Sequence, residues 1–262
     1  MNILVIAGNT YREGIRRKIL IGFMLASLLV IGSSVFLSAA FTSGEPVTMV
    51  KNICLTSVVI FGMLIAVFTA GSCVPSEIEN RVIHTVISKP ISRLEYLLGK
   101  FLGVQLIVLL NIVTMTVLFL GILYTREHII SLVMIKAVVL TYFELLLVSS
   151  YTLAISTLAT SSTLPIICGF FVYITGSSVS YLKQLAENAA SSGSVFQATI
   201  MKGLYEILPN LSQFGIRNEV LTSQPNDPNI TRRALMICGY GLAHALIALA
   251  LAYIIVWRKR EV

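Results

Sequence analysis

Charge is scarce in this sequence. Only 12% of its 262 residues are Asp, Glu, Lys or Arg, where a soluble domain carries about 25%. The deficit excludes a chain whose whole surface faces water, and its distribution says more than its size. Uncharged runs cover 19–44, 52–76, 101–125 and 234–257, each 24 to 26 residues long. About 20 apolar residues cross a hydrocarbon core of about 30 Å, so each run can hold one membrane span. A fifth apolar region, Ala137 to Leu182, has 46 residues and a single charge, Glu144. It is too long for one helix, and Ala159-Thr160-Ser161-Ser162-Thr163-Leu164-Pro165 divides it with small polar residues followed by proline, a stop-and-restart signal.

Cysteine is also scarce. Cys54, Cys73, Cys168 and Cys238 all fall in or at the end of apolar runs, which argues against a disulfide framework in the long polar segment. His84, His128 and His244 are scattered over three regions and give no zinc-ligand spacing with the cysteines. Catalytic motifs are missing too. Gly99-Lys100 lacks the upstream glycine and the following Ser or Thr of a phosphate loop, and there is no Gly-x-Ser-x-Gly elbow or His-Glu-x-x-His helix. An intramembrane hydrolase is poorly supported, and any ATP hydrolysis must come from another chain.

The sequence therefore predicts an all-α integral membrane protein, a single transmembrane domain over 1–262, with six spans near 19–41, 53–74, 101–124, 137–159, 164–182 and 234–257. The first apolar stretch far exceeds the 7–15 residues of a signal-peptide core and follows eighteen others, so it reads as a retained span. Eleven basic residues flank one side: Arg12, Arg16, Arg17 and Lys18, then Arg81, Lys89, Arg93 and Lys100, then Arg258, Lys259 and Arg260. The short opposite loops hold only Lys51, Arg126 and Lys136. This bias places both termini in the cytoplasm. The net charge of +7 is then a topology signal, and nucleic-acid binding is a poor reading of it.

Three polar segments have internal pattern. In 1–18, Leu4, Ala7, Tyr11 and Ile15 recur at helical spacing, while Asn9, Arg12, Glu13 and Arg16 fall elsewhere. That predicts an amphipathic helix in the inner interface; a solvated basic terminus that only enforces topology is the other reading. In 75–100, Ser76 with Glu79 and Ser92 with Glu95 have capping-box spacing, and Lys89-Pro90 separates them. Ile78, Val82, Thr85 and Val86 share one side of the first helix, with Glu77, Asn80, Arg81 and His84 mostly on the other. A short helix held at the membrane surface suits a docking site for a cytosolic partner, though an interfacial helix without a partner fits the same pattern. In 183–231, Phe196, Ile200, Leu204 and Ile207 form an apolar face ended by Pro209, which predicts an amphipathic or partly re-entrant helix at the outer surface. Capping of the bundle and substrate contact both fit it.

Glu144 is the one acid or base well inside a span, seven residues past Ala137 and so roughly 10 Å deep. Eleven Leu, Ile, Val or Phe lie between Ala137 and Leu158. At about −0.3 to −0.6 kcal/mol each, they outweigh the roughly +3 kcal/mol of a central charge, so the span inserts. The carboxyl should face protein or water rather than lipid. Thr141, Tyr151 and Thr152 lie near the same face. A structural hydrogen bond and a place on a substrate path or proton relay both remain open.

These residues resemble a known family. Asn9-Thr10-Tyr11-Arg12-Glu13 followed by Arg16-Arg17-Lys18 resembles the N-terminal elbow of ABC type-2 permeases. Glu77-Ile78-Glu79-Asn80-Arg81 through Lys89-Pro90-Ile91-Ser92-Arg93 to Leu98-Gly99-Lys100-Phe101 looks like their first cytoplasmic loop. Leu208-Pro209-Asn210-Leu211 through Phe214 resembles their outer segment, and Trp257-Arg258-Lys259-Arg260 fits their close. The most similar subgroup includes permeases of multicopper-enzyme maturation, gliding machinery and sodium or drug efflux. The resemblance implies a non-catalytic subunit in a prokaryotic inner membrane, pairing with a second permease, identical or paralogous, and with two ABC ATPase subunits. ATP and Mg²⁺ would sit on the ATPases and no cofactor on this chain. The loop would couple through Glu79, Arg81, His84, Lys89, Pro90 and Arg93, with an elbow helix carrying Tyr11, Arg12 and Arg16 beside it. A secondary transporter using Glu144 for proton coupling and a non-transporting membrane anchor are the alternatives.

Overall fold

The computed structural model describes residues 2–41, 46–79, 92–127, 132–191, 209–215 and 228–258, and among these every regular element is helical. Helix α1 (Asn2–Ile15) meets α2 (Lys18–Phe41) at a sharp break around Arg16 and Arg17. Then come α3 (Pro46–Cys73), the short α4 (Pro75–Glu79), α5 (Arg93–Glu127), α6 (Leu132–Ser156), α7 (Thr163–Ser191), a 3₁₀ turn (Leu211–Phe214) and α8 (Pro228–Arg258). Six of these, α2, α3 and α5 to α8, are long and apolar enough to cross a membrane.

Proline sets several of the starts. It is the first residue of α3, α4 and α8, where its missing N–H would have had no partner anyway. Pro165 stands in the first turn of α7 for the same reason. Between α6 and α7 the helix tightens, with the Leu158 amide donating to the Ile155 carbonyl at 3.0 Å, and stops. The break thus falls on the residues that divide the long apolar region in the sequence.

The core lies along α3 and α6, which pack on each other. Around them, α3 also meets α2, α5 and α7, while α6 meets α5, α7 and α8. Helices α2, α7 and α8 keep most of their side chains on the outside, where Leu29, Phe36, Phe171, Leu235 and Leu246 stand exposed. In a membrane protein that is the lipid-facing side, because acyl chains solvate such residues as well as a protein core does. The buried sides carry many small and hydroxylic residues: Ser27, Ser34 and Ser38 on α2, then Ser149, Ser150, Thr152 and Ser156 on α6. Their hydroxyls donate to carbonyls three or four residues back on the same helix, so they pass through the apolar layer with their protons satisfied.

Helix α5 is one continuous helix of 35 residues, about 52 Å long, and it opens at the Ser92–Glu95 pattern that marks the start of the third span in the sequence. Arg93, Glu95 and Lys100 end the apolar run without ending the helix. Helix α7 continues past Leu182 to Ser191, so the outer segment begins as an extension of a span.

The described part of the segment between α7 and α8 packs into the bundle. Pro209, Asn210, Leu211 and Phe214 are buried, and the turn they form packs on α6 and α7. A Cβ on Gly176 would lie 2.7 Å from a Leu211 methyl and 2.9 Å from the Pro209 carbonyl oxygen, so only glycine admits the turn there. On α8, the Tyr240 hydroxyl accepts the Asn210 amide proton at 2.9 Å. Gly176 and Tyr240 each lie six residues, about 9 Å, inside the outer limit of their expected spans. The apolar face at Phe196, Ile200, Leu204 and Ile207 lies outside the described residues.

Candidate functional site

The α1 end of the bundle carries the most organised polar chemistry, and it is built on a pair of glycines. Helix α1 lies across the start of α5, in the most extensive contact between any two elements. Gly99 and Gly103, one turn apart, form the seat. A Cβ on Gly103 would lie 2.6 Å from the Thr10 Cβ and 2.9 Å from the Ala7 carbonyl oxygen; one on Gly99 would lie 2.7 Å from the Ile6 Cβ. On α1, Ile6 fills the space over Gly99, Ala7 and Thr10 that over Gly103, and Gly14 admits Ile107 in the other direction. Backbones approach this closely only where one side lacks bulk. The Thr10 hydroxyl donates to the Ile6 carbonyl at 3.0 Å and makes no polar demand on the seat.

Of the apolar face expected at Leu4, Ala7, Tyr11 and Ile15, Ala7 is buried and Tyr11 packs against the core, while Leu4, 76% exposed, and Ile15 lie on the surface that lipid would cover in an interfacial helix. The buried stripe that faces the protein is Ala7, Thr10 and Gly14.

Beside the seat, two ion-pair clusters tie α1, α3, α4 and α5 together. Arg17, in the break between α1 and α2, donates to Glu13 at 2.6 Å, to the Ser76 hydroxyl of α4 at 2.9 Å, and to the Ser72 hydroxyl of α3. Glu77 of α4 accepts from two groups on α5: the Lys100 ammonium at 2.5 Å and the Tyr96 hydroxyl at 2.5 Å. Lys100 is almost fully buried, its side chain 3% exposed, and Glu77 is 14% exposed. Burying an ion pair is costly unless its hydrogen-bonding capacity is met, and here each Glu77 oxygen has its own donor.

The sequence-predicted coupling residues divide. Glu79 is the exposed last residue of α4, and Arg93 is the exposed first residue of α5. Arg81, His84, Lys89 and Pro90 lie outside the described residues. Ser92 and Glu95 make the reciprocal capping box that their spacing predicts: the Ser92 amide donates to Glu95, the Glu95 amide to the Ser92 hydroxyl, each at 3.2 Å. Ser76 does not cap α4. That helix opens at Pro75, with the Glu77 amide donating to the Val74 carbonyl at 3.1 Å, and Ser76 serves Arg17 instead. Tyr11 packs against the core, while Arg12 and Arg16 are exposed.

A second polar cluster lies within the membrane-spanning part. Glu144 is buried, 7% exposed. Thr141, one turn away, donates to the Ala137 carbonyl at 3.1 Å, and Thr152 donates to the Val148 carbonyl at 2.8 Å, so neither proton is directed at the acid. The Tyr151 hydroxyl is 3.3 Å from His244 Nδ1, and the His244 ring lies on Tyr240, centroids 4.4 Å apart. Tyr151, His244, Tyr240 and Asn210 thus link α6, α8 and the inward-dipping turn. Glu144→Gln is expected to preserve assembly in detergent, because the amide keeps a hydrogen-bonding head at the same place. Glu144→Leu is expected to weaken assembly by about 1–3 kcal/mol, since it strips a buried group's partner of its bond. Equal thermal midpoints and oligomer yields for the Leu variant and the native chain would remove any structural role for this carboxyl.

The glycine seat and the Glu77–Lys100 pair were missed by the sequence reading, although both left a trace. Gly99 and Gly103 have the small-x-x-x-small spacing of close helix crossings. Glu77 is the first charge after one apolar run and Lys100 the last before the next, so antiparallel helices bring opposite charges to one level. Among the described residues no group of three or more His, Cys, Asp or Glu is placed to hold a metal. No curated protein matches the chain. Residues 6–262, however, match the family described as ABC-2 family transporter protein, and with six span-forming helices the chain belongs to that family as a membrane permease subunit of an ABC transporter.

Proposed function

We propose that the chain works as one of two permease subunits that dock separate ATPase chains through segment 75–100, which faces the cytoplasm. The observation that carries this reading is the α1 end itself. Segment 80–91 leaves from α4 and returns to α5, and both flanks are fastened to α1 and to each other by Arg17, Glu77, Tyr96, Lys100 and the Gly99–Gly103 seat. A loop whose flanks are fixed passes on a push, where a slack one absorbs it. Glu79 and Arg93 stand exposed at its two ends, with Arg81, His84, Lys89 and Pro90 between them to meet an ATPase surface. ATP and Mg²⁺ bind to the two ATPases, and this chain holds no cofactor and does no hydrolysis. The basic residues at this end put both termini in the cytoplasm of a prokaryotic inner-membrane protein. Of Gly32, Ser33 and Ser34, the first two lie on the outward side of α2, where a Cβ on Gly32 would meet nothing within 4 Å among the described residues, which suits the approach of a second permease, while Ser34 is buried within the subunit. Nothing in the fold or the family favours the secondary-transporter or anchor readings.

Orientation is tested by labelling. Asn226→Cys, in a background without the native cysteines, is expected to react with a membrane-impermeant thiol reagent added to intact cells lacking an outer barrier. Reaction only after permeabilisation would put the segment before α8 inside and overturn the topology.

A further inference from the structure

We propose that Glu77, Lys100 and Tyr96 are positioning residues for ATP-driven transport: their buried contact makes the two flanks of segment 80–91 one rigid piece with α1, so that a displacement at the loop reaches the spans undiminished. The inference rests on the reading that an ATPase docks on 75–100, and it assigns a task within that unit to side chains that touch neither ATPase nor cargo.

The geometry points this way on three counts. The pair joins α4 to α5 across the mouth of the loop, since Glu77 lies two residues before the end of α4 and both its donors come from α5. The exit flank is itself stiff: the Ser92–Glu95 capping box starts α5 at the loop, and the helix runs unbroken from there past Lys100, about 12 Å at 1.5 Å per residue. Finally, Lys100 lies between Gly99 and Gly103, so the stretch of α5 that holds Glu77 also carries the seat of α1. Arg17 closes the circuit from α1 back to Ser76, next to Glu77. Stability alone is a poor reason for such a pair. Replacing a buried ion pair with apolar or neutral residues of similar volume is often neutral or stabilising, and the best-attested use of one is to fix register.

The test removes the charges without leaving one unpaired. Three complexes are compared, each carrying Gln213→Cys in a background without the four native cysteines: the otherwise native chain, Glu77→Gln with Lys100→Met, and the exchange Glu77→Lys with Lys100→Glu. Gln213 is exposed on the 3₁₀ turn at the far end of the bundle. The readout is its rate of reaction with an impermeant maleimide, with and without trapping by ATP and orthovanadate, alongside ATPase co-purification and ATP hydrolysis. Trapping is expected to change the native rate roughly threefold or more, as when a ligand moves most of a population between two states. The neutral pair should still bind the ATPase and hydrolyse ATP, but with the response at position 213 mostly lost, and the exchanged pair should recover it. A full response in the neutral pair overturns the proposal. So does a lost response that the exchange fails to restore, because the residues would then act through shape and not through their charge contact. A native complex without bound ATPase, or without any response to trapping, contradicts the docking reading itself and takes this inference with it.

Discussion

Gly103→Val is expected to unseat α1 and to destabilise the protein by about 3 kcal/mol, the upper end of what overpacking usually costs. The magnitude follows from what the new side chain would strike. At Gly103 the obstacles are the Thr10 Cβ and the Ala7 carbonyl oxygen, both less than 3 Å from a built Cβ. A flexible side-chain tip can swing away, but a backbone carbonyl moves only if the helix moves. Gly121 supplies the control on the same helix, since a Cβ there meets nothing within 4 Å among the described residues. Gly121→Val should leave the thermal midpoint of the detergent-solubilised protein nearly unchanged. Gly103→Val should lower it by several degrees and make α1 accessible to protease. Equal midpoints for the two variants would show that α1 does not depend on the glycine seat.

The second large effect is expected at the loop. His84→Pro should leave the chain inserted and stable, yet detach or uncouple the ATPase. Residue 84 lies outside the described residues, within the segment for which the sequence pattern predicts a short amphipathic helix, and proline in a helix interior costs about 3 kcal/mol. Removing a single charge, at Arg81 or at the exposed Arg93, should matter less, because surface pairs contribute only about 0–1 kcal/mol each. The measurement is ATPase co-purification together with transport-linked ATP hydrolysis in reconstituted membranes. Native values of both, in a chain shown to be inserted, would remove the coupling-helix assignment.

The parts of the fold legible in the sequence were those governed by the bilayer. Apolar runs of two dozen residues have one way to satisfy their backbone in lipid, and they became α2, α3, α5 and α8. The stop between α6 and α7 was legible for a similar reason: Pro165 cannot continue a helix from the residues before it. Packing was not legible by the same means. The periodicity of Leu4, Ala7, Tyr11 and Ile15 marks the face that an interfacial helix turns to lipid, and it does not say which residues of α1 meet protein. Beside a membrane large apolar residues need no protein to cover them, and close contact is set by the glycines: Gly103 against Ala7 and Thr10, Gly99 against Ile6, and Gly14 against Ile107.

The polar cluster shows the other limit. In the sequence, Lys100 and Glu77 each mark a membrane boundary, and nothing in either segment pairs them. Their meeting depends on α4 folding back beside α5, which no periodicity within either segment encodes. The same holds for Ser76. Its spacing to Glu79 fits a cap, yet Pro75 starts the helix first and leaves the hydroxyl to Arg17. Glu144 lies between these cases. Composition alone placed it where a carboxyl must face away from lipid, and it is buried. Tyr151, chosen as a neighbour of that acid, instead meets His244, because a one-helix face does not reveal which groups an adjoining helix presents.

A permease driven by separate ATPase chains that dock on segment 75–100, as proposed above, should be recoverable with them. Isolating the chain from its native membrane, cross-linking it and analysing the complex by native mass spectrometry and peptide mapping tests this. The predicted result is a complex of two permease subunits and two ABC ATPase subunits, with cross-links joining the ATPase to residues within 75–100. A stable complex with no ATPase, or an ATPase linked only to the end that carries Leu211–Phe214, would contradict it.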